Sequence, residues 1–423
     1  MKIRSLTLKN IGVFEDETIS FPEKQDKDLA EIHILTGQNG TGKTTILQAL
    51  AGGVSFSTMG GIDISEIYLH DTKSTNNFSK KFINKDSTTT ISFENNYEFS
   101  FNYHPLSPWN VPKNEHFQNT RAFAYSGYRF IEHQEYINVK ENLKYYPLLN
   151  ALEFVKEYGE NDYTLNQWLA NNISKRSFAR DEGNEEKAKV FDRNIKLLEQ
   201  VIQEIIEKPI KFEPVYETGI KIVANIEGKK LDFDLLPDGL RSIISWLGDL
   251  IMRMDALKWK DDLPIFEREF ILFLDEIEVH LHPSWQRKIL PVVQKLFKNA
   301  QIFITTHSPF IVNSVDGAWI HKIELTDRGA KIHPATVSEN GNSISYVLRE
   351  TFGIKEEFGL EVNNDLEKFY QFRDKLLAGN LNGSEYKFIE LSKSLAVQSL
   401  ELNTIIQFEL RQINKVLNTN YSL

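Results

Sequence analysis

The sequence predicts an α/β fold built on a mixed sheet, with an antiparallel arm, an inserted helical hairpin and helices near the C-terminal end. Three short apolar runs, Ile32–Thr36, Phe270–Leu274 and Gln301–Thr305, have the composition of strands covered on both faces of a sheet. Thr164–Glu207 instead has no proline, almost no glycine and apolar residues at helical spacing, which indicates two helices around Gly183. We therefore expect one sheet-based domain that is interrupted by a helical hairpin.

Further strands are predicted on either side of these runs. Lys2–Leu8 alternates between polar and apolar residues, and Glu17–Phe21 follows it after a turn, which predicts the antiparallel arm. Thr88–Phe93 and Tyr97–Tyr103 show the same pattern around a short polar turn and predict a second hairpin. Arg121–Tyr125 is short and largely apolar, so it predicts one more strand.

The loop between the first apolar run and the next helix has a specific pattern. Gly37–Thr44 fits G-x-x-x-x-G-K-[ST] and lies between a predicted strand and a stretch of helical composition, as that motif requires. Its glycines allow backbone N–H groups to surround phosphate oxygens, and the helix N-terminus adds partial positive charge. Lys43 would reach the β- and γ-phosphates, and the Thr44 hydroxyl would bind Mg²⁺. The alternative is a glycine-rich turn with a chance lysine.

Polar residues at the ends of the two later apolar runs favour the phosphate-binding interpretation. Phe270–Leu274 ends in Asp275 and Glu276, and two acids at the end of a buried strand are costly unless a cation is near. We expect Asp275 to hold Mg²⁺ through water and Glu276 to polarise the attacking water. His307 follows the last run and can reach the γ-phosphate region. Three such motifs in this order predict a nucleotide hydrolase.

Another helix start follows the predicted insertion. Leu236–Gly239 precedes a segment with apolar residues at helical spacing, and a glycine at a helix start leaves free N–H groups for an anion. Taken alone, the same pattern is also that of an ordinary helix start.

Composition limits the class of protein and its partners. The chain has 423 residues and no cysteine, which excludes disulfides and thiolate chemistry and suits a cytoplasmic protein. No apolar stretch reaches the length of a membrane span, so we expect no membrane partner. The net charge of −10 means that nucleic acid would need a local basic patch. Lys175, Arg176 and Arg180 are candidates, but the acids at 181–186 favour an ordinary solvated helix face.

The order of these motifs resembles the ABC-type ATPases of the SMC and RecF branch, whose head is a P-loop NTPase fold. The runs FLDEIEVHLHPSWQ and ITTHSPF are similar to those of bacterial antiphage ATPases, which include the PtuA component of Septu, retron-associated ATPases and the AriA component of PARIS. The resemblance covers roughly residues 1–350. It implies an ATPase that uses ATP and Mg²⁺.

The resemblance also implies that two heads pair head-to-tail, so that each ATP is held by both chains. Glu276 matches the catalytic glutamate, His307 matches the switch histidine, and Lys43 is expected to act in catalysis. Pro237 departs from the family, whose signature usually has a serine after the leucine. Proline offers neither a hydroxyl nor an N–H to the γ-phosphate. The residues expected to bind nucleotide are Gly37, Gln38, Asn39, Gly40, Thr41, Gly42, Lys43, Thr44 and Thr45 on one chain and Asp238 and Gly239 on its partner, with Thr44 and Asp275 as Mg²⁺ ligands.

Glu278–His282 corresponds to the family's D-loop, which crosses the interface between heads. His280 and His282 alternate beside Glu278 and would also suit a metal ion, but no cysteine or further ligand accompanies them. The D-loop match explains these histidines better. No glutamine near Ser126 matches the Q-loop of the family.

The predicted domains are a first head lobe at residues 1–149, a helical hairpin at 150–208, a second head lobe at 209–350 and a helical region at 351–423. An apolar stripe at Leu402–Leu417 predicts either a docking helix or packing within its own domain. No acid and histidine cluster of an HNH or Toprim nuclease follows the head.

Two functions remain open from the sequence. One is a sensor or regulatory ATPase of an antiphage complex that controls a separately encoded HNH or Toprim nuclease and meets nucleic acid through the complex. The other is a RecF-like ATPase of DNA repair that binds DNA directly. The acidic charge and the short insertion favour the first.

Overall fold

A computed structural model describes residues 2–58, 87–95, 97–102, 121–129, 164–216, 219–259, 263–354, 358–379 and 385–423, with single positions between them. The chain divides into two compact units, residues 1–347 and 348–423. None of the described helices is long and apolar enough to cross a membrane. The strands are β1 Ile3–Ile11, β2 Phe14–Ser20, β3 Glu31–Gly37, β4 Thr88–Phe93, β5 Glu98–Asn102, β6 Ala122–Tyr125, β7 Ile210–Tyr216, β8 Ile220–Ile226, β9 Lys229–Leu231, β10 Ile271–Leu274, β11 Gln301–Thr305, β12 Trp319–Thr326, β13 Gly329–Ile332 and β14 Thr336–Val337. The helices are α1 Lys43–Thr58, α2 Leu165–Asp181, α3 Glu185–Ile206, α4 Asp238–Ala256, α5 Pro283–Leu296, α6 Pro309–Val312, α7 Ile344–Glu350, α8 Leu360–Leu377, α9 Glu385–Ala396 and α10 Leu400–Leu417.

The central sheet of the first unit has the strand order β13-β12-β3-β11-β10-β6, and β14 pairs with β12. The five strands from β12 to β6 are parallel, whereas β13 and β14 run antiparallel to β12. Because β3, β10 and β11 are parallel neighbours, the residues after each strand meet at one edge of the sheet. The predicted mixed α/β fold is confirmed, although the sequence analysis did not predict β12.

The antiparallel arm forms a second sheet of order β2-β1-β4-β5. The predicted strands at Lys2–Leu8 and Glu17–Phe21 correspond to β1 and β2, which pair from Ser5 with Ser20 to Ile11 with Phe14. One apolar core joins this sheet to α1 and to the central sheet, and it includes Leu47 and Phe303, both fully buried. The arm therefore covers the helix that follows the glycine-rich loop.

The helical hairpin consists of α2 and α3. Thr164 caps α2 by accepting a hydrogen bond from Gln167 N, and the turn between the helices uses Gly183 at φ 74°. The indole of buried Trp168 donates to Asp255 near the end of α4 at 2.8 Å, so the hairpin packs on the head. Of the candidate basic residues, Arg176 pairs with the buried Asp192 at 2.5 Å, and Arg180 lies 3.8 Å from the same carboxylate.

Helix α4 is the main buried helix of the second lobe. Its apolar residues Ile243, Leu247 and Ile251 are fully buried, and Trp246 is also enclosed. The small sheet β7-β8-β9 lies between the hairpin and α4 along the chain. α4 is therefore buried along most of its length, whereas Asp238 in its first turn is exposed.

The second unit is a helical domain with its own core. Leu402, Ile406 and Leu410 of α10 are buried against Phe369 and Phe388 of the other helices. The prediction that the Leu402–Leu417 stripe is a docking surface is wrong for the buried members, because α8 and α9 already cover them. The alternative, packing within the domain, is the one that the structure shows.

Candidate functional site

The glycine-rich loop connects the carboxyl end of β3 to the start of α1. A Cβ atom on Gly37 would lie 2.2 Å from the carbonyl oxygen of Ile323 in β12, and one on Gly42 would lie 2.5 Å from the ring of Phe14. Gly40 and Gly42 have φ angles of 82° and 91°, a region that favours glycine. The loop shape therefore requires glycine at these positions, as expected of a backbone cradle for phosphate.

Lys43 begins α1 and turns back across the loop. Its Nζ donates to the carbonyl oxygens of Gly37 at 3.0 Å and Gln38 at 2.9 Å, and the residue is only 6% exposed. Burial lowers the pKa of Lys43, against the effect of the nearby carboxylates of Asp275 and Glu276. An anionic ligand in the cradle would replace the carbonyl contacts and stabilise the ammonium.

Thr44 and Asp275 come together although 231 positions separate them. The Thr44 hydroxyl donates to the Asp275 carboxylate at 3.0 and 3.1 Å. The hydroxyl of Thr305, the last residue of β11, donates to Asp275 Oδ1 at 2.6 Å. Hydroxyl and carboxylate oxygens are the hard ligands that Mg²⁺ prefers, so this pair fits the ion expected from the sequence.

Glu276 adopts an unusual backbone conformation beside this pair. Its φ angle is 46°, which is uncommon for a residue with a side chain and is often found at functional sites. Its N–H donates to Thr305 Oγ1 at 2.8 Å, so one threonine fixes both acids. The side chain is exposed and lies against Gly127, where a Cβ atom would come within 2.7 Å of Glu276 Oε2.

His307 follows β11 at the same edge of the sheet. Its backbone N–H donates to Glu278 Oε1 at 2.5 Å, which ties the turn after β11 to the turn after β10. Partial burial lowers the pKa of His307, and the neighbouring Lys43 adds to this effect. The exposed imidazole is therefore neutral at pH 7 and can donate one hydrogen bond.

Burial raises the pKa of Glu278, whereas the hydrogen bond from His307 N lowers it. Its Oε2 is buried and has no hydrogen-bond partner among the residues that the structure describes. The sequence analysis placed Glu278 only in the D-loop. The structure adds that this carboxylate holds the backbone of the His307 turn.

Asp238 and Gly239 form the first turn of α4. Pro237 precedes the helix at φ −54°, and no side chain caps this end. Gly239 is buried against the turn that contains His280, since a Cβ atom would lie 2.6 Å from the carbonyl oxygen of His280. No described hydrogen bond or ion pair joins these two residues to the glycine-rich loop of the same chain.

His282 has a structural role. Its Nδ1 accepts a hydrogen bond from Ser284 N at 3.2 Å and caps α5. His280 has a φ of 64° and shapes the turn through its backbone. The turn at Glu278–His282 is thus ordered by contacts that need no metal.

Sequence reasoning missed Arg129, which lies in the turn after β6. Its guanidinium donates to the main-chain oxygen of Asp275 at 2.7 Å and to Ser242 Oγ at 3.4 Å. Burial lowers the pKa of Arg129 to about 10, against the effect of Asp275, Glu278 and Glu276, so the side chain stays charged at pH 7. The available signal was its place directly after a strand that could pair beside β10.

The comparisons agree with this geometry. The sequence model of the family described as "AAA domain, putative AbiEii toxin, Type IV TA system" matches residues 32–313, more than half of the chain, and a second AAA-domain model matches residues 1–57. The chain is 34% identical to the retron Ec83 probable ATPase of Escherichia coli over 121 residues, which are 29% of this chain and 21% of that protein. It is 23% identical to the Septu protein PtuA of Bacillus thuringiensis over 74% of this chain and 73% of that protein.

Among solved structures, the chain is similar to an Smc head domain with an extended coiled coil from Pyrococcus furiosus. The identity is 13%, the TM-score is 0.42, and the match covers 79% of this chain and 96% of that one. The family match and the P-loop geometry agree on the kind of domain. The chain belongs to this AAA-domain family, whose sequence model matches residues 32–313.

Proposed function

We propose that this chain is the ATP-hydrolysing sensor subunit of an antiphage defence complex and controls a separately encoded nuclease through ATP-dependent pairing of its heads. The observation that carries the ATP chemistry is the meeting of Thr44 with Asp275 beside Lys43. The defence context is supported by relatives named as a retron ATPase and as Septu PtuA.

Residues 37–45 would hold the nucleotide phosphates of ATP. Backbone N–H groups of the loop and of the start of α1 would donate hydrogen bonds to the phosphates, and Lys43 would contribute a positive charge. Thr44 and Asp275 would hold Mg²⁺ through the hydroxyl and carboxylate oxygens that already lie together. When bound, Mg²⁺ would neutralise charge that develops on the phosphate oxygens.

Glu276 is our proposed general base for hydrolysis. Its carboxylate is exposed at the sheet edge, and its backbone is fixed by Thr305, so it can accept a proton from an attacking water. The neutral imidazole of His307 would donate a hydrogen bond toward the γ-phosphate. Both side chains follow parallel neighbouring strands, which places them on the same edge as Lys43.

Head pairing would bring Asp238 and Gly239 of one chain to the ATP of the other. The first turn of α4 is uncapped, and its backbone N–H groups and helix dipole suit an anion. Because Pro237 supplies no hydroxyl or N–H, this contact relies on fewer donors. Gly239 packs on the His280 carbonyl, so two segments proposed to face the partner move together.

The nuclease partner is tested by co-expression. A gene beside this one that encodes a small HNH or Toprim protein would be expressed with the chain, and the pair would be purified on a tag carried by the chain. We expect a stable complex that cuts DNA or RNA, whereas the chain alone hydrolyses ATP and cuts neither. Metal-dependent cleavage by the chain alone, or ATP hydrolysis stimulated by DNA without a partner, would contradict the proposal and favour direct DNA binding.

A further inference from the structure

The turn Ser126–Arg129 lies against both acids at the end of β10. Asp275 N donates to the carbonyl oxygen of Tyr125 at 2.9 Å, which brings the ends of β6 and β10 together. Gly127 then packs directly on the Glu276 side chain. The turn after β6 is therefore part of the wall that fixes the proposed metal ligand and the proposed base.

The Arg129 guanidinium joins this wall to α4. One terminal nitrogen donates to the Asp275 carbonyl oxygen at 2.7 Å, and the other reaches the hydroxyl of Ser242 at 3.4 Å. Ser242 is buried one turn into α4, the helix whose start carries Asp238 and Gly239. The planar fork of one side chain thus contacts the end of β10 and the helix proposed to meet the partner head.

Three carboxylates act electrostatically on the charge of Arg129. Within the described part of the chain, no carboxylate oxygen lies within ion-pair distance of this guanidinium, although Asp275, Glu276 and Glu278 all act on it electrostatically. The same three carboxylates act on Lys43. Arg129 therefore lies near the acids, and its direct contact is with the peptide oxygen between Asp275 and Glu276.

We propose that Arg129 is a positioning residue for ATP hydrolysis, which fixes the peptide between Asp275 and Glu276 and links it to Ser242 of α4. The inference rests on the roles proposed above for the two acids. An arginine suits this place because its rigid fork donates in two fixed directions, whereas a lysine offers one ammonium on a flexible stem.

The test measures steady-state ATP hydrolysis by the full chain with Arg129→Ala and Arg129→Lys. Groups that orient the residues holding a metal typically contribute about 10- to 100-fold to activity, so we expect a loss of kcat in that range for Arg129→Ala. The KM for ATP should change little, because the phosphate cradle is untouched. Arg129→Lys keeps the charge but only one of the two contacts, so its kcat should lie between those of the wild type and Arg129→Ala.

Chemical rescue separates positioning from a merely structural role. Guanidinium chloride at millimolar concentration, far below the molar concentrations that unfold proteins, should restore part of the kcat of Arg129→Ala. Sodium chloride at the same ionic strength should not. A loss of activity that came only from a weakened fold would not respond to guanidinium in this way.

Arg121 offers a matched control. It is a partly buried arginine at the opposite end of β6, and its carbonyl oxygen accepts a hydrogen bond from Ile271 N at 2.8 Å. Arg121→Ala keeps this backbone contact and should leave kcat and KM unchanged. The inference is overturned if Arg129→Ala keeps wild-type kcat, or loses kcat without rescue by guanidinium.

If Arg129→Ala does not fold, the kcat of Arg129→Lys decides, and a wild-type value overturns the inference. If the wild-type chain shows no ATP hydrolysis that is lost on substitution of Lys43, the proposed site itself is overturned. The two failures are thus distinguishable in one set of assays.

Discussion

The two ends of the central sheet carry polar clusters with opposite properties. At the amino end, Glu31 accepts hydrogen bonds from Arg4 at 2.8 Å and Gln301 at 2.7 Å, and His33 bridges it to His321. All of these groups except Arg4 are buried, and they satisfy one another. At the carboxyl end, Glu276 has a positive φ and an exposed carboxylate.

This difference indicates that polar groups at the amino end of the sheet contribute to stability, whereas those at the carboxyl end contribute to function. A buried charge is tolerated when hydrogen bonds and opposite charge surround it, as they surround Glu31. A strained backbone, such as that of Glu276, costs stability and is often kept where it acts on a ligand. We therefore expect substitutions at the carboxyl end to remove activity and substitutions at the amino end to remove stability.

The largest effect is expected at Lys43. Lys43→Ala should abolish ATP binding and lower turnover by at least about 100-fold, because the substitution removes a charge from the phosphate cradle. Nucleotide binding by calorimetry and phosphate release would measure it. Lys24→Ala is the matched control, since Lys24 also donates to three carbonyl oxygens but lies away from the cradle. Equal turnover in the Lys43 variant and the wild type would refute the role of Lys43.

Glu276→Gln should separate binding from hydrolysis. Loss of a general base typically slows turnover by about 100-fold or more, while Lys43, Thr44 and Asp275 still hold the nucleotide. Paired heads should accumulate with ATP, which light scattering after size-exclusion chromatography would detect as a doubled mass. If this variant binds ATP as poorly as Lys43→Ala, the proposed division of roles is wrong.

The sequence alone was sufficient to predict the site residues that directly follow a strand. The glycine-rich loop, Asp275 and His307 each have a local pattern that contains both the strand and the functional residue. Arg129 and Gly127 have no such pattern, because their roles arise from contacts with residues more than 100 positions away. Such contacts follow from strand order, which local periodicity does not specify.

The same limit explains why two alternatives stayed open for the C-terminal unit. Periodicity at Leu402–Leu417 correctly indicated a helix with one apolar face. It did not indicate what covers that face, and the structure shows that helices of the same unit do so. Strand β12 was missed for a related reason, since its mixed composition reflects its place between β3 and the antiparallel strands β13 and β14.

At the amino end of the sheet, Glu31→Gln should destabilise the fold without changing kcat. Burial alone would raise the pKa of Glu31, but hydrogen bonds from His33 and Arg4 outweigh it and lower the pKa to about 2. Removing one partner of a buried ion pair costs about 3 kcal/mol of unfolding free energy. Urea unfolding would measure this loss, with ATP hydrolysis assayed on the same samples.

Glu94→Gln is the matched control for that substitution. Glu94 is an exposed partner of the same Arg4 at 3.6 Å, and exposed pairs typically contribute no more than about 1 kcal/mol. A Glu31 variant as stable as the Glu94 variant would contradict a structural role for the buried network.

The smallest effect is a pH dependence of stability from the buried histidine pair. Burial lowers the pKa of His33, although the neighbouring Glu31 acts to raise it. Burial and the nearby His33 lower the pKa of His321 well below its usual value. Both rings are neutral if His321 donates to His33 Nδ1 at 3.2 Å and His33 donates to Glu31. Below about pH 6.5, the unfolded chain binds protons that the folded chain excludes, so stability should fall as pH falls.

Urea unfolding between pH 7.5 and pH 5.5 would measure this slope, since Glu31 stays ionised there in the folded state. The double variant His33→Asn and His321→Asn should be less stable at pH 7.5, because it disturbs the network, but its stability should change less with pH. His333→Asn, at a half-exposed position in the same sheet region, serves as the control and should keep the wild-type slope. An unchanged slope in the double variant would mean that the histidine pair is not the source of the pH dependence.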